Sequence, residues 1–481
     1  MTFKTTLLAG TVLGVATLAS GTALAQTPAG QTASQQAQIE ALNRQIQALQ
    51  SQMTSLKESL QKDISAVGKK VSDAPTVSVE GGRPRFRTAD KAFDMAIRMR
   101  VHADYGAWFP EEDQGIPDLT DGFNIRRAFF GINGTVYNDW AVELTFNAAP
   151  NRGNGIELQA ANVSYRGIKG WTFDIGVMQP KFTLDDSTSS NDIPFMERAP
   201  AANYIVNIGA SDGRTAIGVT NRSDRHIVAA YVTGNRIGTG TGDDQVNILG
   251  RAAYRVIDTN MGGMGIGASG VYQVQPEAGT TSAGGTAIRF DDRPGARIGS
   301  STQRLTRSVN ITNIDSAYGY GVDVGGNYRN LWAAGEYTVF GANTKERVPG
   351  TNAVNPFNDP EFDAFYVSAG YVLTGERRNY TVGEFAGVKP AWPFTPTGGI
   401  GAWEVAVRYS QADLVDASAG AGSSGSSFDR PGKETLWTFG LNWYPNAAIR
   451  FMLNYIMAES DKPTGKDVEA DILAARVQFQ F

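Results

Sequence analysis

Arginines are the residues of this chain whose type and spacing could do chemistry. Arg98 and Arg100 stand two positions apart, Arg251 and Arg255 four apart, and Arg408, Arg450 and Arg476 each occupy a polar position between apolar neighbours. Arg126 and Arg127 are adjacent. A guanidinium is permanently charged, and its planar fork makes paired hydrogen bonds to carboxylate or phosphate oxygens, so the chemistry on offer is reversible coordination of anions. For each arginine the plainer use is equally open: a charge solvated by water, or one paired with a nearby acid. Arg98, with Asp94 and His102 on its own face, is placed for partial neutralisation.

Other chemistries have less behind them. The chain has no cysteine, which removes disulfides, thiolate metal sites and cysteine nucleophiles. His102 and His226, the two histidines, are far apart and lack ligand-spaced partners, so no metal site is expected. Gly265 to Gly270 satisfies GxGxxG, but in a strand-and-turn context with no helix behind it, which argues against nucleotide binding. There is no nucleophile elbow and no catalytic pair of carboxylates, so neither an enzyme nor a cofactor is expected. A net charge of -5 gives no basic footprint for nucleic acid.

The elements that would position these arginines show in the hydrophobic period. From Phe93 to Phe109 every second residue is apolar or small, while Asp94, Arg98, Arg100, His102 and Asp104 lie between. That is a long amphipathic strand. The alternation returns at Trp140 to Phe146, Trp171 to Val177, Tyr318 to Val324, Trp403 to Tyr409, Trp437 to Trp443, Ile449 to Tyr455 and Leu473 to Phe481. A soluble sandwich would alternate too. Three features favour a membrane barrel: Tyr and Trp near strand ends, tight turns such as Tyr137-Asn138-Asp139 and Tyr444-Pro445-Asn446 alternating with long loops (234–244, 276–300, 341–360, 415–433), and an aromatic last residue in phase with its strand. At about 24 residues per strand and connection, residues 91–481 hold about 16 antiparallel strands, a large transmembrane β-barrel wide enough for an aqueous channel.

Ahead of the barrel, residues 1–25 read as a secretory signal ending at Ala23-Leu24-Ala25. Residues 26–72 carry a heptad, with Ile39, Ile46, Met53, Leu60 and Val67 at one seam position and Leu42, Leu49 and Leu56 at the other, predicting a short periplasmic α-helical coiled coil. Asp63 takes the next seam position, which weakens the seam there. A lone helix packed on the barrel is the alternative. Residues 73–90, with Pro75, Gly81, Gly82 and Pro84, read as a linker.

Several stretches resemble the phosphate-selective porin O and P family: TSSNDIPFMERA (Thr188 to Ala199), GYVLTGERRNY (Gly370 to Tyr380), FNIRRAFFGINGTVYNDW (123–140), GAWEVAVRYSQADL (401–414) and TFGLNWYPNAAIRFMLNY (438–455). They span essentially the whole barrel. The resemblance implies a trimer of barrels in the outer membrane of a Gram-negative bacterium, each with its own pore for small anions such as phosphate or polyphosphate. It further implies an arginine ladder, and a constriction loop from Gln179 to Arg198 with Lys181 and Arg198 as its cations, opposed by Asp185, Asp186, Asp192 and Glu197. Those acids, and only eight lysines in the barrel region, weigh against strict phosphate selectivity. The Arg126 and Arg127 pair matches a family motif; parity with Phe130, Ile132 and Val136 selects Arg127 as inward, unless a bulge admits both. A weakly selective general porin, or an envelope-tethering protein whose coiled coil contacts the periplasm or cell wall, are the alternatives.

Overall fold

The computed structural model describes residues 29–80, 82–110, 119–149, 155–237, 245–277, 285–298, 304–348, 354–416, 431–463 and 466–481; the expected signal segment, 1–25, lies outside them. The chain divides into two units, Met1–Ala74 and Pro75–Phe481.

In the first unit a single helix runs from Ala29 to Ser72. Its apolar seam from Ile39 to Val67 is exposed throughout, from 47% at Ile46 to 70% at Met53. The stripe does not fade at Asp63 as expected. It steps to Ile64, so Leu56, Leu60 and Ile64 follow at intervals of four and keep the face apolar.

Among the described residues, the second unit is built on an antiparallel sheet of eighteen strands. Two of them, Thr76–Glu80 and Arg83–Arg87, form a hairpin inside the stretch expected to be a linker, turning at Gly82 with φ +83°. The hairpin pairs with residues 94–96 of the first long strand, Phe93–Pro110. The other sixteen each pair with the next along the chain, and the last, Val468–Gln480, pairs with Phe93–Pro110 to close the barrel. Closure gives each of these sixteen strands a partner on both sides, the condition for placing a sheet in lipid.

The two faces of each strand part as the alternation requires. Along Phe93–Pro110, His102, Asp104 and Trp108 are buried inside while Met99, Tyr105 and Phe109 point out. The outer wall carries exposed aliphatics such as Ile175, Ile217, Val322 and Val367. Aromatic pairs, Trp140 with Tyr165 at 4.9 Å and Trp403 with Trp443 at 5.5 Å, mark one rim, where amphipathic rings favour the lipid boundary. The tight turn at that rim uses Tyr137 and Asn138 in left-handed conformations, φ 48° and 63°.

One connection breaks the rule of short turns at that rim. Residues 373–401 link the strands Glu361–Val372 and Ala402–Asp413 and fold inward, burying Arg378, Tyr380, Val382, Phe385 and Val388. From the opposite end the connection after Trp171–Met178 also folds inward, and its helix Pro200–Gly209 is largely buried. Tyr204 stacks on Phe340 at 4.9 Å, within an apolar cluster that includes Ile205, Ile208, Leu249, Val271 and Phe362. Inward glycines make room: a Cβ on Gly319 would lie 2.6 Å from Ile205. Two of the GxGxxG glycines also make room inside, since a Cβ on Gly267 would lie 2.6 Å from the Asp323 carboxylate and one on Gly265 would meet the Tyr380 hydroxyl. The strands through Gly262–Gln275 and Ile314–Tyr328 thus back a dry half of the lumen.

The wall assignment makes a direct prediction. Val322→Arg, midway along Ile314–Tyr328 on the outer face, should cost about 2–4 kcal/mol. Asn162→Arg, on the lumen side, should cost clearly less. Urea unfolding of each variant in lipid bilayers checks the difference; equal losses would contradict the assignment.

Candidate functional site

The open half of the lumen is a cavity of about 770 Å³ between the wall from Phe93–Pro110 to His226–Arg236, the segment from Gln179 to Arg198, and the inward turn at Thr381 to Ala386. Of the arginines and lysines singled out in the sequence, Arg98, Arg100, Lys181 and Arg198 line it. Arg100 donates to Ser190 Oγ at 2.6 Å and Ser189 Oγ at 3.4 Å, lies over the Phe129 ring, and leaves its Nε–H without a protein acceptor. Arg98 pairs with Glu143 across the sheet rather than with Asp94, whose carboxylate is taken by Arg85 and Arg87 of the hairpin. Arg198 spans the turn beneath it, donating to the carbonyls of Asp185, Asp186 and Thr188 at 3.0, 3.1 and 2.8 Å.

Other arginines hold the inward segments against the wall. Arg126 makes a two-pronged pair with Glu197 at 2.7 and 3.1 Å. Arg476 grips Asp104 at 2.7 Å through both prongs, then reaches Glu197 at 3.0 Å and the Met196 carbonyl at 2.5 Å. Arg408 donates to the Glu197 carbonyl, and Arg450 to those of Asn191 and Ile193. Arg251 pairs with Asp323 at 2.9 Å and donates to Gly383; Arg255 donates to Tyr380. Arg127 faces His102 at 3.5 Å. Parity alone chose Arg127 over Arg126, but both are buried inside: the pairing with the first strand skips between His102 and Ala103, and the bulge turns both side chains inward.

Burial pushes the Glu197 carboxyl up, but Arg126, Arg297, Arg127 and Arg476 around it outweigh that and hold it well below the usual carboxylate range. Glu197 is therefore an anionic knot whose carboxylate contacts three arginines, Arg126, Arg297 and Arg476, not a free opponent of the pore cations. Asp186 goes the other way. Burial pushes it up to about 6 against the pull of Arg198.

Several lumen residues were missed. Arg222 ends the strand Arg214–Arg222 on its inward face and could have been found by parity. Arg378 and Glu384 could not, because they lie between long strands, where no alternation tells which way a side chain faces. Arg378 binds Glu404 through two contacts of 2.8 Å and also donates to the Asp192 carbonyl. Glu384 meets Lys181 and Arg222.

A closed sixteen-stranded barrel with lipid-facing aliphatics, narrowed from both ends by chain that leaves a charged passage, defines an outer-membrane porin. The model of the phosphate-selective porin O and P family matches residues 95–481, and the chain belongs to that family. Its curated relatives include Porin O of Pseudomonas aeruginosa, 26% identical over 452 residues, 88% of this chain and 99% of the relative. An uncharacterized protein of Caulobacter vibrioides is 26% identical over 431 residues, 86% and 78% respectively. Similar solved structures include Pseudomonas putida OprB, 11% identical with TM-score 0.49, covering 82% of this chain and 95% of that one. The anion-selective porin from Comamonas acidovorans is 11% identical with TM-score 0.47, covering 80% and 99%.

Two outcomes test this geometry. Arg476→Met should strand the buried carboxylate of Asp104 and take one of three arginines from Glu197, at a cost on the order of 3–5 kcal/mol, seen as a lower temperature at which the folded band is lost in detergent gels. Asp186 is neutral below about pH 6 and charged above it. Lowering pH from 7.5 to 5 should therefore raise the lumen's preference for chloride over potassium, and Asp186→Asn should flatten that dependence.

Proposed function

We propose that the chain is a passive, anion-preferring porin that admits small hydrophilic solutes, inorganic phosphate and polyphosphate among them. The observation that carries this reading is the convergence of Arg98, Arg100, Lys181, Arg198 and Arg222 on one water-accessible cavity, beside the hydroxyls of Ser189 and Ser190. Fixed cations on a low-dielectric wall focus their field into the passage, and several moderate sites let an anion enter and leave. The family membership and the relative named Porin O agree with it.

A second reading has its own observation: Glu143, Asp174, Asp186, Asp192 and Glu384 line the same cavity, so opposed charges would set up the transverse field of a weakly selective general porin. Planar bilayers under a KCl gradient separate the two. The anion porin gives a reversal potential favouring chloride, a chloride conductance that falls on adding phosphate, and a weaker preference in Arg100→Gln. A potassium-favouring potential would refute the anion preference.

The reading extends to the rest of the chain. Residues 1–25 are a leader removed on export, and the barrel assembles as a homotrimer. A 44-residue helix whose apolar stripe is wholly exposed calls for partners, and copies of itself supply matching seams. Crosslinking of the full-length protein through the helix should be lost in the double variant Leu49→Asp/Leu56→Asp while the barrel stays folded. Undiminished crosslinking would exclude seam pairing, and increased detergent sensitivity alone would point to an envelope tether.

A further inference from the structure

Arg126, Arg251, Arg408, Arg450 and Arg476 are enclosed and hold chain to wall. Lys181 and Arg222 differ. Their side chains are 42% and 40% exposed, and they converge from separate elements, the segment after Trp171–Met178 and the end of the strand Arg214–Arg222. Between them lies one carboxylate, that of Glu384. Its Oε2 takes the Lys181 ammonium at 2.8 Å and its Oε1 takes Arg222 Nη2 at 3.0 Å.

Nothing about the fold of the inward turn requires that carboxylate. The turn is fixed by its neighbours: Phe385 N–H donates to Thr188 Oγ1 at 3.1 Å, the Gly383 carbonyl accepts from Arg251 at 3.1 Å, and Tyr380 N–H donates to Asn327 Oδ1 at 2.9 Å. Arg378, on the same connection, is anchored independently to Glu404. Glu384 is thus carried on a hydrogen-bonded support to a place where two solvent-reachable cations face each other.

Two oxygens of one anionic group, each on a different cation, is also how a phosphate or carboxylate would bind there. We propose that Lys181 and Arg222 form an oxyanion site in the lumen that Glu384 occupies as a built-in competitor, so that a permeating oxyanion binds by exchanging with the glutamate. The competitor is charged at neutral pH: burial raises it, but Lys181 and Arg222 outweigh burial and hold the carboxyl below its ordinary range. The exchange is cheap because both cations stay hydrated on their open sides, and it keeps the site from retaining a solute that must leave. The proposal rests on the anion-porin reading and adds the position that sets how tightly the passage holds oxyanions.

The test is block of chloride conductance by inorganic phosphate in planar bilayers, for the wild type, Glu384→Gln, and Glu384→Gln/Arg222→Gln, each checked for a folded band in detergent gels. Glu384→Gln keeps the shape and removes the competing charge. It should lower the half-blocking phosphate concentration by about fivefold or more, the scale of one partly screened carboxylate. Adding Arg222→Gln should cancel the gain. If Glu384→Gln moves the reversal potential toward chloride and leaves the half-blocking concentration unchanged, the glutamate is one more charge in the field and the proposal is wrong. A wild type that prefers potassium and is not blocked by phosphate in any form would instead bring down the anion-porin reading beneath it.

Discussion

The grip of Arg476 on Asp104 is the interaction on which the rest of this barrel depends. The two residues face each other across the seam where the last strand meets the first, and both are sealed from solvent. The same guanidinium reaches past the seam to Glu197 and Met196. One buried cation therefore welds the cylinder shut and fixes the obstruction inside it. Burying so many charges is costly unless each is paired and hydrogen-bonded, and here the pairing is dense: Arg126, Arg297 and Arg476 all converge on the Glu197 carboxylate.

That arrangement divides the labour among the cations. A wide barrel has room for a channel far larger than a selective passage needs. Chain from both ends fills half of it with apolar side chains, and arginines along the wall hold the filling by its backbone carbonyls. The cations left facing water are those on the opposite side, where the filling ends. Selectivity in such a pore comes from how few charges stay free, not from how many the chain contains.

The cylinder was legible because alternation is a local property: Phe93 to Phe109 announces its two faces within one strand. So was the inward course of the segment after Gln179, through its resemblance to a family loop. What stayed hidden was set by pairing between distant residues. The side-by-side entry of Arg126 and Arg127 depends on a skipped register against His102, which parity counting treats as an exception. The engagement of Arg476 with Glu197 joins residues 279 positions apart, and no spacing rule predicts it. The inward course of the connection containing Arg378 and Glu384 left no local signal, because its burial arises only when the barrel encloses it. Ile64 was the opposite case, a local signal overlooked because strict heptad counting skipped to Asp63.

The small hairpin before the barrel has a consequence for assembly. It occupies the free edge of the first strand at residues 94–96, while the last strand occupies that same edge from Arg100 to Pro110 and Phe481 exchanges two hydrogen bonds with Met99. Almost no unpaired edge remains between them. A closing strand that slid two residues along, preserving its inside and outside faces, would keep its hydrophobic match and so escape the usual penalty for misregistration. The hairpin removes that escape by standing in its path. It works as a mechanical end-stop against sliding in that direction, and so protects the register in which Arg476 stands opposite Asp104.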